Sequence, residues 1–124
     1  LIAGTSVLFY LQNSGPGVTF SLTSFEVLDD QRVSVTWQMN RPADLDTYCV
    51  VRAQDSQRRD VGYATVTVAG GAPTTQMTYR LNTESRATTV EVLACASNQH
   101  VRAPQPNFPP GVGAPSQPPP GVAP

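Results

Sequence analysis

Apolar and polar residues alternate with a period of two through much of the chain between residues 18 and 97. In RVSVTWQM, for example, the valines, the tryptophan and the methionine share one face of an extended chain, and the polar residues share the other. This pattern predicts strands that bury one face. Six strands are predicted: FSLTSFEVL (20–28), RVSVTWQM (32–39), TYCVVRA (47–53), GYATVTV (62–68), QMTYRL (76–81) and TTVEVLAC (88–95).

Two of the six predicted strands depart from strict alternation. FSLTSFEVL keeps its pattern only if the register slips near Ser24, which predicts a β-bulge or a bend there. TTVEVLAC is apolar on both faces at Val90, Val92 and Leu93, as is typical of a central strand.

Short stretches that favour turns separate the predicted strands: LDDQ, NRPADLD, DSQRRD, AGGAP and NTES. Each contains Gly, Pro, Asn, Asp or Ser, which turn geometry favours. Short strands at this spacing, with no helical periodicity between them, predict an all-β antiparallel sandwich over residues 19–97. The specific prediction is an immunoglobulin-like fold.

The N-terminal segment LIAGTSVLFYLQ (1–12) is apolar and carries no charge. It is shorter than the roughly 20 residues that span a bilayer. We predict that it is the end of an N-terminal membrane anchor, namely part of a transmembrane helix. The alternative is an N-terminal strand or a buried helix of a soluble domain. Residues 13–18, which contain NSGPG, are predicted to be a linker.

The C-terminal segment (98–124) is a predicted proline-rich tail. Nine of the 12 prolines follow Arg102, and no charged residue does. Proline at this density fixes φ and removes amide donors, so the segment favours an extended polyproline II backbone interrupted by glycine turns. PPGV occurs in it twice, at 109–112 and 119–122.

The two cysteines, Cys49 and Cys95, form no C-x-x-C motif, and His100 is the only histidine. A zinc site therefore has too few ligands. The pair is either a disulfide or two separate buried thiols. A bridge of this span would stabilise the domain by roughly 3–4 kcal/mol in the chain-entropy account. It would also require an oxidising compartment.

The charge of the chain limits the classes of partner that we expect. All eight basic residues are arginine, and the formal net charge is −1. Arg58 and Arg59 are the only basic cluster, so we expect no nucleic-acid partner.

Known catalytic patterns are missing from the sequence. It contains no G-x-S-x-G, no H-E-x-x-H and no phosphate-binding glycine loop. His100 lies beside the tail, away from the β-rich region. We therefore expect no enzyme activity, cofactor, resident metal or small-molecule substrate.

Three weaker candidates have structural interpretations. Asp29 with Asp30, and Asp44 with Asp46, have oxygen ligands that suit calcium, but aspartates in turns more often bond to the backbone. Trp37 and Tyr48 have rings that could stack on a sugar, but Trp37 is on the apolar face of its strand and is predicted to lie in the core. Tyr48, on the opposite face of its strand from Cys49 and Val51, is a weak candidate for surface contact.

The middle of the chain resembles a known family. SFEVLDDQRVSVTWQM, TYCVVRAQD, VGYATVTV and SRATTVEVLAC together are similar to an uncharacterised actinobacterial family of small single-pass membrane proteins, known only as a domain of unknown function. The resemblance runs from about residue 19 to residue 95, and the tail lies outside it. Its most specific elements are C-V-V-R-A (49–53), V-G-x-A (61–64) and E-V-L-x-C (91–95). It implies a single-pass protein of the cell membrane, with one transmembrane helix and an extracytoplasmic β domain that contains two cysteines.

Binding is the function that these features favour. An edge strand of a sandwich accepts other chains, and a polyproline segment loses little entropy when it is ordered. The predicted partner-binding residues lie in the tail: Pro106, Phe108, Pro109, Pro110, Pro115, Pro118, Pro119 and Pro120. The alternative for the tail is a disordered spacer across the cell envelope.

We therefore expect a non-catalytic, membrane-anchored accessory subunit of a larger actinobacterial membrane protein assembly, docked through the β domain and the tail. A respiratory cytochrome supercomplex is the first candidate, because such complexes contain many small single-helix subunits. The alternative is a free-standing cell-envelope module that binds a peptide or cell-wall ligand. An envelope enzyme or redox protein is a remote third possibility, which an exposed, reducible cysteine pair would favour.

Overall fold

The computed structural model describes residues 18–97 and 103–122. The predicted membrane anchor (1–12), His100 and most of the predicted linker (13–18) lie outside the described residues. Val18, the last residue of that linker, is buried in the core.

Six strands form where alternation predicts them, and a seventh forms in the tail. The strands are β1 (Thr19–Asp29), β2 (Arg32–Asn40), β3 (Thr47–Gln54), β4 (Asp60–Val68), β5 (Thr74–Asn82), β6 (Thr89–Ala96) and β7 (Gly121–Val122). The short strand β7 was not predicted, because its two residues offer no alternation to detect.

The strands make two antiparallel sheets, in the orders β1-β2-β5 and β6-β3-β4-β7. The described residues contain no helix, which confirms the all-β class. Side chains from both sheets share one hydrophobic core, in which the largest member, Trp37, is fully buried as predicted. The indole N–H of Trp37 has no hydrogen-bond partner among the described residues, so this side chain stabilises the fold through apolar burial.

Strand β1 contains the predicted irregularity near Ser24. Its register against β2 shifts between Leu22, which is opposite Trp37, and Ser24. The shift brings Phe25 opposite Val35, a core residue, so the apolar side chains before and after the bulge lie on the same face of the sheet.

Strand β6 corrects one prediction. TTVEVLAC was predicted to be a central strand, but β6 lies at an end of its sheet, and β3 and β4 are the inner strands. A register shift occurs between the pairs Val50–Ala94 and Val51–Val92, and it leaves Leu93 as the extra residue. The apolar residues on both faces of this strand therefore reflect a bulge and not a central position in the sheet.

Gly62 permits a close approach of β4 to β5. A Cβ atom at this position would lie 2.9 Å from the Thr83 methyl group and 3.0 Å from the Asn82 carbonyl oxygen. These distances leave no room for a side chain. The glycine of V-G-x-A, one of the elements that carried the family resemblance, therefore has a packing role at the line where the two sheets meet.

Within residues 18–97 and 103–122, the structure contains no helix that is long and apolar enough to cross a membrane.

Candidate functional site

The tail, predicted to contact a partner, lies against its own β domain. Residues 103–122, called the strap below, contact strands β4 and β5 and add β7 to the edge of β4. The β4–β5 seam is the line along which these two strands meet, and its strap-binding residues are Asp60, Tyr63, Thr67, Tyr79 and Asn82.

The strap first contacts the outer side of β4. Tyr63 lies on this side because side chains alternate along a strand, and those of Ala64 and Val66 point the other way, into the core. The Tyr63 hydroxyl donates a hydrogen bond of 2.7 Å to the Pro104 carbonyl oxygen.

Asp60, at the start of β4, holds the next part of the strap. Its Oδ2 accepts a 2.6 Å hydrogen bond from the backbone N–H of Asn107, and its Oδ1 accepts one of 3.0 Å from Gln54. Arg52 Nε lies 3.9 Å from the same carboxylate, and the Arg52 guanidinium also pairs with Glu91. Asp60 is only 2% exposed, so the two hydrogen bonds and the nearby guanidinium compensate for a buried charge.

Two elements of the resemblance contribute to this cluster. Arg52 belongs to C-V-V-R-A and Glu91 begins E-V-L-x-C, and the register places these two residues opposite each other on β3 and β6. The family-like part of the chain therefore builds the polar cluster that receives the strap.

The first PPGV reverses the direction of the strap. Val112 N–H donates to the Pro109 carbonyl oxygen at 3.0 Å, and Gly111 has a φ of +79°. Proline at the second position and a positive-φ glycine at the third are typical of a type II turn.

The returning strap then pairs with the end of β5. Asn82 N–H donates to Gln117 Oε1 at 2.8 Å, and Gln117 Nε2 donates back to the Asn82 carbonyl at 2.9 Å. The Asn82 side chain also donates to the Ser116 carbonyl at 2.8 Å. The Gln117 amide thus bonds to β5 much as the backbone of a neighbouring strand would.

The end of the strap closes the edge of β4. The Tyr79 hydroxyl donates to the Pro118 carbonyl at 2.6 Å, and Thr67 N–H donates to the Pro120 carbonyl at 3.1 Å. Gly121 pairs with Val66 in the register of β7 against β4. A Cβ at Gly121 would lie 2.2 Å from the Tyr79 hydroxyl oxygen, so only glycine fits.

The two strings of PPGV adopt different structures. The first is a turn around Pro110 and Gly111, whereas in the second the Pro119–Pro120 peptide bond is cis and Gly121 N–H donates to the Pro118 carbonyl. The repeat in sequence is therefore not a repeat in structure.

Both strap-binding tyrosines are hydrogen-bond donors at neutral pH. Desolvation by burial raises the pKa of Tyr79. Desolvation also raises the pKa of Tyr63, where the Arg52 charge lowers it and the Asp60 charge raises it. Each hydroxyl therefore keeps the proton that it donates to a strap carbonyl.

The predicted partner-binding residues occupy several environments. Pro118 and Pro120 offer carbonyl oxygens to the domain, and Pro109 accepts within the turn. Half-buried residues are Pro106, Phe108, Pro109, Pro115 and Pro118, and exposed residues are Pro110, Pro119 and Pro120. Binding of these residues to another protein stays a prediction.

Sequence reasoning missed the residues that position the strap. Asn107, Gln117 and Gly121 interrupt the prolines of the tail, while Asp60 and Tyr79 lie in strands. The only local signal was the presence of three side-chain amides, Gln105, Asn107 and Gln117, in a segment without charge.

The cysteines form the disulfide Cys49–Cys95. They are directly opposite on β3 and β6 of one sheet, with Cα atoms 4.1 Å apart, and both are fully buried. An immunoglobulin disulfide, in contrast, joins two sheets. The redox hypothesis required an exposed pair, and this buried cystine does not meet that requirement.

Three aspartates of the two acidic pairs bond to the surrounding chain. Asp29 accepts from Gln31 N–H, Asp30 pairs with Arg86, and Asp46 accepts from Gly70 N–H. Within the described ranges, no three His, Cys, Asp or Glu side chains are grouped as metal ligands would be.

The side of the domain away from the seam has a different surface. Strands β1 and β6 are the end strands there. Phe25 and Leu28 of β1 are 39% and 43% exposed. We call these two residues the β1 apolar edge. A shallow, open depression beside Leu28 is lined mainly by polar and charged residues of the β1–β2 turn and the β5–β6 connection.

Comparison with protein families identifies one match. A family model described as a domain of unknown function (DUF4307) matches residues 1–95, and the chain therefore belongs to this family. The match ends at Cys95, so the strap lies outside it. Neither the curated proteins nor the solved structures include a significant match to the chain.

Proposed function

We propose that this member of the DUF4307 family is a non-catalytic, membrane-anchored accessory subunit. In this proposal the β domain lies on the extracytoplasmic side and docks onto a larger membrane protein assembly. A respiratory cytochrome supercomplex of an actinobacterium is the first candidate, from the abundance of small single-helix subunits in such complexes.

We propose further that the domain is an immunoglobulin-like sandwich. The sheet orders β1-β2-β5 and β6-β3-β4 correspond to A-B-E and F-C-C′ of that fold. The last strand departs from it, because β7 pairs with β4 at the edge opposite β6. The DUF4307 domain would thus have an immunoglobulin-like strand order with its own closing segment.

The β1 apolar edge is the observation that carries the docking proposal. Phe25 lies opposite the fully buried Val35 on the core side of its sheet, yet 39% of its surface is exposed. An end strand with exposed apolar side chains is a surface that another chain covers well. The strap covers the opposite side of the domain, so β1 is the side we assign to docking.

Two features support the membrane and extracytoplasmic parts of the proposal. LIAGTSVLFYLQ is an uncharged apolar segment, which suits the end of an anchor. The Cys49–Cys95 disulfide suits an oxidising compartment, as outside the cytoplasm.

The strap has a secondary role in docking in this proposal. Several of its carbonyl groups, those of Pro104, Ser116, Pro118 and Pro120, accept hydrogen bonds from its own domain. Pro110, Pro119 and Pro120 are nevertheless exposed, and Phe108 is partly exposed. We propose that a partner contacts these outward side chains in addition to the β1 apolar edge. Proline rings are suited to packing against aromatic surfaces.

The test is purification from native membranes under gentle detergent extraction. The full chain, tagged at its N-terminus, is compared with the variant Phe25→Ser/Leu28→Ser, and co-purifying subunits are quantified by mass spectrometry. Leu45→Ser is the matched control, because Leu45 is also exposed, at 47%, but lies outside β1. A variant that ends at Arg102 measures the contribution of the strap.

We expect the full chain and Leu45→Ser to retain one set of membrane subunits in fixed stoichiometry, and the double variant to lose it. If the double variant retains the set, β1 is not the docking surface. If the full chain purifies alone, the accessory-subunit proposal is wrong, and a free-standing envelope module takes its place.

A further inference from the structure

We propose that the β4–β5 seam is a binding site for proline-rich peptides, which the strap of the same chain occupies. We also propose that the strap of a second copy of this chain occupies the site in exchange. The proposal does not depend on docking to a membrane assembly, since it rests on the contacts between the strap and the β domain themselves.

The chemistry of the seam matches the chemistry of proline. Proline has no backbone N–H and therefore offers only a carbonyl acceptor. The seam supplies donors to three proline carbonyls: the Tyr63 hydroxyl to Pro104, the Tyr79 hydroxyl to Pro118 and Thr67 N–H to Pro120. A ligand rich in acceptors and poor in donors thus meets a site rich in donors.

Two further contacts give the site sequence selectivity. The reciprocal pair between Asn82 and Gln117 requires a side-chain amide at this position of the ligand. Gly121 packs so closely on Tyr79 that a Cβ atom does not fit. The recognised pattern is therefore glutamine followed by prolines and then glycine, as in QPPPG (117–121).

Ion pairing does not hold the ligand. Residues 103–122 include no charged side chain. Asp60 binds the strap through the backbone N–H of Asn107, and Arg52 pairs with Glu91 inside the domain. Binding should therefore depend weakly on salt, unlike adsorption by charge.

The contacts do not require the strap to belong to the same chain. They are non-covalent, and the strap follows strand β6 after a connection that ends at residue 102. Prolines restrict the free segment, so its ordering costs less entropy than that of a flexible peptide. An identical strap from a second copy satisfies the same donors, which is the condition for segment exchange between copies.

The first experiment uses the full chain with a protease-cleavage sequence in place of residues 98–102. The folded protein is cut, and a fluorescent peptide of residues 103–124 is added. We expect the peptide to displace the cut strap and to bind with one-to-one stoichiometry, measured by anisotropy at low and high salt.

Matched glycine variants of the peptide test the geometry. Gly121→Ala should bind at least about tenfold more weakly, whereas Gly113→Ala should bind within about twofold of the parent peptide. Gly113 is the control because a Cβ there meets nothing within 4 Å. Tyr79→Phe in the protein should weaken binding about tenfold. The peptide variants keep the test valid even if Tyr79→Phe unfolds.

The second experiment tests exchange between copies. The uncut chain is refolded at millimolar concentration and its mass is measured by light scattering. We expect a dimer fraction that is retained in Gly113→Ala and is absent from the variant that ends at Arg102, which has no strap to exchange. A cut protein that loses its strap and binds no peptide at millimolar concentration overturns the binding site, and a strictly monomeric refolded chain overturns the exchange.

Discussion

The Asp60 carboxylate accepts a 2.6 Å hydrogen bond from the backbone N–H of Asn107, which is 47 residues further along the chain. This contact joins the family-matched part of the protein to the segment beyond it. It buries a carboxylate whose remaining partners, Gln54 and Arg52, belong to the neighbouring strand β3. At this point the strap is therefore connected to the polar cluster on β3, β4 and β6.

Replacement of Asp60 should destabilise the protein and release the strap. Asp60→Ala leaves the Asn107 N–H and the Gln54 side-chain N–H without their buried acceptor and removes the carboxylate beside Arg52, so we expect a loss of about 2–4 kcal/mol in the free energy of unfolding. Urea denaturation measures this loss, and hydrogen exchange at the Asn107 amide measures the release. Asp30→Ala is the control, since its pair with Arg86 is exposed and should be worth less than about 1 kcal/mol. Equal losses in the two variants would contradict the structural role of Asp60.

Gly62 should not tolerate even one added methyl group. Gly62→Ala brings a Cβ within 3.1 Å of atoms of Leu81, Asn82 and Thr83, which should cost about 1–3 kcal/mol in the free energy of unfolding. Gly71→Ala is the matched control, because its Cβ would meet only the Arg41 guanidinium at 3.7 Å and should change stability by less than about 0.5 kcal/mol. Thermal or urea unfolding of the two variants compares them directly. A Gly62→Ala variant with the same free energy of unfolding as wild type would mean that β4 and β5 are able to move apart at no cost.

Local pattern predicts most of this fold because burial of one face leaves a trace in every strand. Alternation located β1 to β6, and the slip near Ser24 located the bulge in β1. The same signal was misleading in β6, where the extra residue Leu93 shifts apolar residues onto both faces. A bulge and a two-sided strand produce the same string of apolar letters, and only the pairing with β3 separates them.

The binding of the strap to its own domain was not predictable from such patterns. The contacts are hydrogen bonds from Tyr63 and Tyr79 to proline carbonyls about 40 residues away, and every residue has a carbonyl to offer. Composition suggested that the prolines extend, but it did not indicate the surface that would receive them. Likewise, the spacing of the cysteines did not decide between a disulfide and two separate thiols. The pairing of β3 with β6, which places Cys49 opposite Cys95, decides it.

The cystine should carry a large part of the stability of this domain. It closes a loop of 46 residues, so Cys49→Ala/Cys95→Ala should lower the free energy of unfolding by about 3–4 kcal/mol. Because both cysteines are fully buried, thiol reagents should label the reduced wild-type protein only when it unfolds. Urea denaturation with and without reductant measures the first effect, and mass spectrometry of alkylated protein measures the second. Rapid labelling of the folded, reduced protein would show that the sulfurs are accessible and would favour the redox hypothesis.

High pH should release the strap through Tyr63 and Tyr79. Burial raises the pKa of both hydroxyls above the ordinary value of 10.0, so the folded state keeps protons that the unfolded state loses. The number of protons bound is then larger in the folded state, and stability falls as pH increases. The contribution is fully present below about pH 10 and is lost as pH rises from there through the folded-state pKa values.

The comparison of wild-type protein with Tyr63→Phe/Tyr79→Phe isolates this effect. Urea denaturation should show that the free energy of unfolding falls more between pH 9 and pH 11 in wild-type protein than in the double variant. The reason is that the double variant has no hydroxyl proton to lose at the seam. Tyr48→Phe is the control, since Tyr48 donates to no strap carbonyl among the described residues, and it should behave as wild type does. Carbon-detected NMR signals of the strap prolines should shift toward those of a free peptide over the same pH range. An equal loss of stability in wild type and in the double variant would place the alkaline transition elsewhere in the protein and remove the two tyrosines as its cause.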